Sequence, residues 1–187
     1  MAFGYKIHGH AIVSDDDKIA DADGHTPPSL RHPADWKRFQ TALDGAAAII
    51  LGRLGHAAHP NTHSRNRIVV SSSVNGIERR GDAWWWNPEH ASLEAALKAA
   101  APGGGIVVVP GGRRVFDLFL ELGFDEFHLA HVHGVNIPGG IPIFSECTPH
   151  HSAEAALAAH GLEPQPTEIL DANADVSVTV WRRRTTD

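Results

Sequence analysis

One cysteine, Cys147, one methionine and one tyrosine stand among 187 residues. A lone cysteine excludes an internal disulfide and suits a reducing compartment. No apolar run approaches the roughly 20 residues that a membrane-spanning helix needs. The opening stretch "MAFGYKIHGHAIV" lacks the charged start and long apolar centre of a signal peptide. A cytosolic protein without a membrane partner is therefore expected. Positive charge is also scarce: the formal net charge is −6, which argues against a nucleic-acid or anionic-membrane surface. The only strongly basic run, Arg182-Arg183-Arg184, reads as a solvated strand end. Internal repeats and low-complexity tracts are missing as well, so residues 1–187 read as one domain. Hydrophobic residues make up 42% of the chain, enough at this length to build a real core.

The pattern that remains alternates strands and helices. Strand-like runs occur at 5–14, 46–52, 67–73, 105–110 and 126–133, and "PTEILDA" and "DVSVTVWRR" flank a turn near the end. Positions 49–51, 68–70 and 106–109 are continuously apolar, as in parallel strands covered on both faces. Helical segments fall at 32–43, 92–100, 113–123 and 152–161. Ser92 and Ser152 are placed as N-caps, and Trp36, Phe39 and Leu43 form one stripe. The order predicts an α/β fold with a mostly parallel central sheet flanked by helices and a C-terminal antiparallel hairpin.

Two nucleotide motifs are absent where one would look for them. "VVVPGGRRVFDLFL" carries a strand into Gly111-Gly112 and a helix start at Arg113-Arg114, yet it has neither G-x-G-x-x-G nor a P-loop lysine. Glycines let backbone amides approach a ligand, and a helix start aims free N–H groups at an anion. The same segment also serves as a plain strand-to-helix turn. "IILGRLG" ends a strand in Gly52-Arg53, and "IVVSSS" ends another in hydroxyls. Three such endings at the C-terminal edge of one parallel sheet predict a site for a phosphate-bearing cofactor. Asp35 opens the helix that carries Phe39. On position alone it is a favourable partner for the helix dipole. Facing the sheet, it becomes a carboxylate in an apolar pocket that can grip a cationic heterocycle. Two histidine groups, His56/His59/His63 in an expected loop and His128/His131/His133 on a strand, lack metal-site spacing, and no metal is expected. "WWW" (84–86) reads as a half-buried strand.

The succession "AIVSDDDKIAD…HPADWKRF…IILGR…RNRIVVSSS…VVVPGGRRVFDLFL…FHLAHVH" resembles the dihydrofolate reductase family over nearly the whole chain. An extra helical segment lies around 152–161. The resemblance implies a sheet that binds NADPH along its strand ends, with a dihydropterin beside the nicotinamide. By that resemblance Asp35 is the active-site acid and Phe39 packs on substrate. Arg65 binds a substrate carboxylate, and Ala11, Leu30 and Ala130 border the pterin. Gly52, Arg53, Leu54, Ser71, Ser72 and Arg114 hold the cofactor's phosphate end. Ile19, Gly111, Gly112, Arg113, Val115 and Phe116 lie at its nicotinamide and pyrophosphate. The paired glycines are usually joined by a cis peptide bond, and 15–32 corresponds to a mobile active-site loop. The family's loop tryptophan falls on Leu30, its acid-bonding threonine on Ala130, and a further threonine on Gly55. His128 stands two residues before Ala130 on the same strand face, as a neighbour for the acid or as a packed imidazole. The implied activity is hydride transfer from NADPH to C6 of a 7,8-dihydropterin, either dihydrofolate or a relative such as dihydromethanopterin, by a monomer or homodimer. A riboflavin-pathway pyrimidine reductase and a non-catalytic NADPH-binding protein are the alternatives.

Overall fold

The computed structural model of the protein describes residues 4–185. The continuously apolar runs form the centre of the sheet, as expected: β3 (Ala48–Gly52), β4 (Arg67–Val70) and β7 (Gly105–Val109). β1 (Tyr5–Val13) pairs in parallel with β7 on one side and with β8 (Glu126–Val132) on the other. β3 lies parallel to both β7 and β4. A hairpin of β5 (Ile77–Arg80) and β6 (Ala83–Trp86) closes one edge, with the three tryptophans on β6. At the other edge β12 (Val176–Arg183) runs antiparallel to β8 and pairs with β10 (Leu162–Pro164) and β11 (Glu168–Asp171). The main sheet has ten strands, in the order β10-β12-β8-β1-β7-β3-β4-β6-β5 with β11 beside β12. A separate two-stranded ladder joins β2 (Lys18–Ala20) to β9 (Ile141–Pro142).

Helices cover both faces. On one side lie α3 (Leu93–Ala100), α4 (Arg113–Leu122) and α5 (Ala153–Ala159). Ser92 and Ser152 cap α3 and α5 by accepting from Ala95 N and Ala155 N, each satisfying an otherwise orphaned amide. Their apolar stripes bury Leu97, Phe119 and Leu157 against a core that also holds Phe124, Phe127 and Phe144. Gly9 fits here because a Cβ would collide with the Phe127 ring, so β1 and the ring share space that only glycine leaves.

The other face is covered more thinly, by α1 (Pro33–Asp44) and the short α2 (Arg53–Ala58). The stripe expected to bury Trp36, Phe39 and Leu43 does so only at its C-terminal end. Leu43 is buried, Phe39 is half-buried, and Trp36 is 61% exposed. The N-terminal half of α1 is therefore less closely packed on the sheet than its C-terminal end. His56 also departs from expectation: it sits in α2, edge-on to Trp85, not in a loop. Among the described residues no helix is long and apolar enough to cross a membrane.

Candidate functional site

The C-terminal ends of β7, β3 and β4 lie side by side, so their loop residues share one edge. After β7, Gly111 (φ +130°) and Gly112 (φ +83°) adopt conformations that L side chains rarely enter. The turn exposes backbone and starts α4 at Arg113 without a side-chain cap. The first amides of that helix have no partner within it. Gly52, at the end of β3, sits close under α4: a Cβ there would lie 3.4 Å from Val115 Cγ2. Arg53, Leu54, Ser72 and Arg114 are exposed on this edge. Ser71 Oγ lies 2.9 Å from Ser73 Oγ, tightening the turn after β4. Sequence reasoning missed Arg80, whose Nη2 lies 3.3 Å from the Ser73 carbonyl and whose guanidinium stacks over Trp85. Gly81-Asp82 between "IERR" and "AWWW" shows the hairpin in the sequence, but its register sets the Arg80 backbone at the far end from the serines, and only the long side chain reaches back to Ser73.

The second half of the site lies under α1. Pro33 fills the first turn, and the His32 ring caps the helix by accepting from Ala34 N at 3.2 Å. His32 Nε2 is itself 3.1 Å from Asp171 Oδ2, which pins the helix start to β11. Asp35 follows, half-buried, and among the described residues its carboxylate accepts no side-chain hydrogen bond. Burial pushes its pKa up to about 6, although Arg38 and His32 pull it back toward the charged form. Phe39 lies one turn on, with its ring 5.8 Å from Trp36 and 6.3 Å from His10.

Several residues implied by the resemblance stand elsewhere than expected. Leu30 ends a 3-10 turn (Pro28–Leu30) and is fully buried with Val132 and Val176, so its side chain packs and presents no surface to a ligand. Ala130 is 1% exposed, one rung along β8 from His128. Val115 and Phe116 are buried in the core, where Phe116 packs under Gly111 and beside Phe127. Phe116 thus buttresses the glycine turn from below. Ala11 and Ile19 pack against the α4 side, away from Phe39. Arg65 is already engaged: its Nη2 donates to Asp44 Oδ1 and to Gln40 Oε1, both at 2.7 Å. A substrate carboxylate would have to share that guanidinium with α1. Among the described residues no peptide bond is cis, so Gly111-Gly112 turns through its two positive φ angles. At the start of the 15–32 segment, Asp15 and Asp16 bond to 134–137, including Gly134 N donating to Asp15 Oδ2 at 2.7 Å. His128 does not reach Asp35 as a hydrogen-bonding neighbour; its ring stacks on His10 at 4.1 Å.

No protein-family model matches the chain. Nor does any curated protein. Solved structures do. A dihydrofolate reductase from Enterococcus faecalis, complexed with NADP(H) and RAB-propyl, superposes with a TM-score of 0.67 at 18% identity, over 99% of this chain and 100% of that one. A protein from Shewanella sp. PV-4 assigned to riboflavin biosynthesis gives 0.65 at 17%, over 96% and 99%. A diaminohydroxyphosphoribosylaminopyrimidine deaminase/5-amino-6-(5-phosphoribosylamino)uracil reductase from Thermotoga maritima gives 0.63 at 15%, over 96% of this chain and 57% of its own. The fold is thus dihydrofolate reductase-like, and it is shared by proteins of two different chemistries.

Proposed function

We propose that this protein is an NADPH-dependent reductase that delivers hydride to C6 of a 7,8-dihydropterin. The observation that carries the reading is Asp35: a half-buried carboxylate with its pKa pushed up to about 6, one turn before Phe39 on α1. Such a group binds the ring N3 and 2-amino edge of a pterin and favours its protonated form. Phe39 and the exposed Trp36 offer flat apolar surface to the rest of the ring.

The edge of β7, β3 and β4 fits a dinucleotide phosphate. Gly111 and Gly112 admit close backbone approach, α4 presents its first amides, and Arg53, Arg114 and Ser72 are exposed for a 2′-phosphate, with Arg80 beside the Ser71–Ser73 turn. NADPH bound there supplies the hydride. The protein's own part is to hold and orient the pterin by Asp35, with the proton reaching N5 through water. Because Arg65 is committed to Asp44 and Gln40, a long glutamate tail is not required, and a dihydropterin other than dihydrofolate suits the pocket equally.

The pyrimidine reductase remains the second reading, since two of the three superposed structures are assigned to riboflavin biosynthesis or to that deaminase/reductase chemistry. The test follows NADPH oxidation by absorbance with dihydrofolate, dihydromethanopterin and a ribosylaminopyrimidine in parallel. Turnover with either dihydropterin is the expected result. Turnover with the pyrimidine alone replaces the proposal by its rival, and NADPH binding without turnover on any of the three reduces the chain to a dinucleotide-binding protein.

A further inference from the structure

His8 and His10 are two residues apart on β1, so both side chains leave the same face of the sheet. The parallel register sets His10 opposite His128, and His8 opposite Glu126. Three imidazoles therefore meet on the α1 side, a set that takes His128 from the second histidine group of the sequence and leaves out the other members of both groups. The rings of His10 and His128 stack at 4.1 Å, and His8 lies 5.7 Å from His128. One ring nitrogen from each lies within 4.8 Å of the other two. Both nitrogens of His128 are buried and have no hydrogen-bond partner. Glu126 Oε2 approaches His128 Nε2 at 3.3 Å, but out of line for a hydrogen bond. In front of the cluster opens a pocket of about 210 Å³, walled by the three rings with Thr41, Ala42 and Val108.

Buried polar atoms without partners are disfavoured, and here both nitrogens of one ring, His128, lack a partner while two further imidazoles stand beside it. We propose that His8, His10 and His128 form a binding site for one divalent first-row transition ion such as zinc, with a further coordination position open to the pocket. Imidazole nitrogen suits such ions, and three protein ligands with one open position is a recurrent arrangement for zinc. A neutral imidazole offers a lone pair to such an ion. Among charged neighbours, Glu126 and Asp125 favour a cation, whereas Arg38 of α1, Lys6 of β1 and Arg182 of β12 oppose it. Coordination turns His10 and His128 out of their stack, because an ion lies in the plane of each ring it binds; the χ2 torsion of histidine is broad enough to allow this. The site adjoins the proposed pterin pocket, since the His10 ring lies 6.3 Å from Phe39, but its test reads ion binding and not turnover.

The experiment uses full-length, tag-free protein stripped with chelator and dialysed, then titrated with zinc chloride by calorimetry. One equivalent is expected to bind and to raise the melting temperature. His10→Gln and His128→Gln are each expected to weaken binding by more than about 100-fold, since even outer partners of a metal ligand are worth 10- to 100-fold. His59→Gln, at the exposed residue that follows α2, leaves it unchanged. X-ray absorption of the wild-type zinc form decides the matter even if a variant folds poorly. Three imidazole nitrogens at about 2.0 Å support the site. No stoichiometric binding by folded wild-type protein, a shell containing the Cys147 sulfur, or unchanged binding in both variants overturns it.

Discussion

Phe127 and His128 are neighbours on β8, and they point to opposite faces of one sheet. Phe127 joins Phe116, Phe124 and Phe144 in a tightly interlocked aromatic cluster beneath α4, with ring centroids 5.0–5.6 Å away in its three contacts. His128 meets His8 and His10 beneath a helix that is only partly seated. The first face is packed with apolar rings around Phe127. The second holds Asp35, His10 and His128, whose charged forms burial disfavours. One mixed sheet thus carries a tightly packed apolar face and a more polar, less closely covered one.

The contrast is open to attack by substitution. Phe127→Ala is expected to remove about 3–5 kcal/mol from the denaturant-unfolding free energy, by opening a cavity at the centre of the aromatic cluster. His128→Leu, one residue on, is expected to lie within about 1 kcal/mol of wild type at pH 8 in chelator, because an unpaired imidazole is exchanged for an apolar side chain. Similar losses in both variants would abolish the distinction between the faces.

Next in size is the chemistry. Asp35→Asn is expected to lower turnover at neutral pH by about 100-fold or more while NADPH affinity changes less than about twofold. Steady-state kinetics and fluorescence titration check both halves, and equal turnover would remove Asp35 from its assigned role.

Smaller effects come from pH, and the two groups pull in opposite directions. His128 has its pKa lowered to about 3 in the folded chain, so the unfolded chain takes up the proton first. Stability is then lost as pH falls below the ordinary histidine value near 6.5. At pH 5 the His128→Leu variant should be more stable relative to wild type by about 2 kcal/mol than it is at pH 8. Asp35 has its pKa raised to about 6, so the folded chain favours the protonated acid. Stability is lost as pH rises from the ordinary aspartate range through 6, and the full loss is present above that. Asp35→Asn should therefore gain about 1 kcal/mol at pH 8, allowing for the partial exposure of the group, and nothing at pH 3.5. Thermal melts across this range read both signs.

Much of the frame was legible because it rests on local signals. The apolar runs of β3, β4 and β7, the serine caps of α3 and α5 and the stop at Gly123 all stand where the pattern set them. Short elements escaped. β2, β9 and β10 have two or three residues each, too few for any periodicity, and α2 hides behind a glycine. At the candidate site, the strand-end glycines, Arg53 and the serines come to one edge as read, since parallel order decides that. The burial of Leu30 and the pairing of Arg65 with Asp44 depend on contacts across 21 or more residues, which no local pattern carries. The histidine cluster is the clearest case. His8-x-His10 shows its shared face in the sequence, but the third member is fixed only by the register between β1 and β8.

At the far edge of the sheet, β5 pairs Glu78 with Trp85 and Arg79 with Trp84, and the guanidiniums of Arg79 and Arg80 lie over Trp84 and Trp85. Three consecutive charged residues on an outermost strand are a poor template for another chain's backbone, because a strand docking there would bring its own side chains against an array of solvated charge. The aromatic wall of β6, which alone would invite fibre-like growth, is thus screened by its own hairpin partner. Glu78, Arg79 and Arg80 guard one edge of a ten-stranded sheet against pairing with another chain.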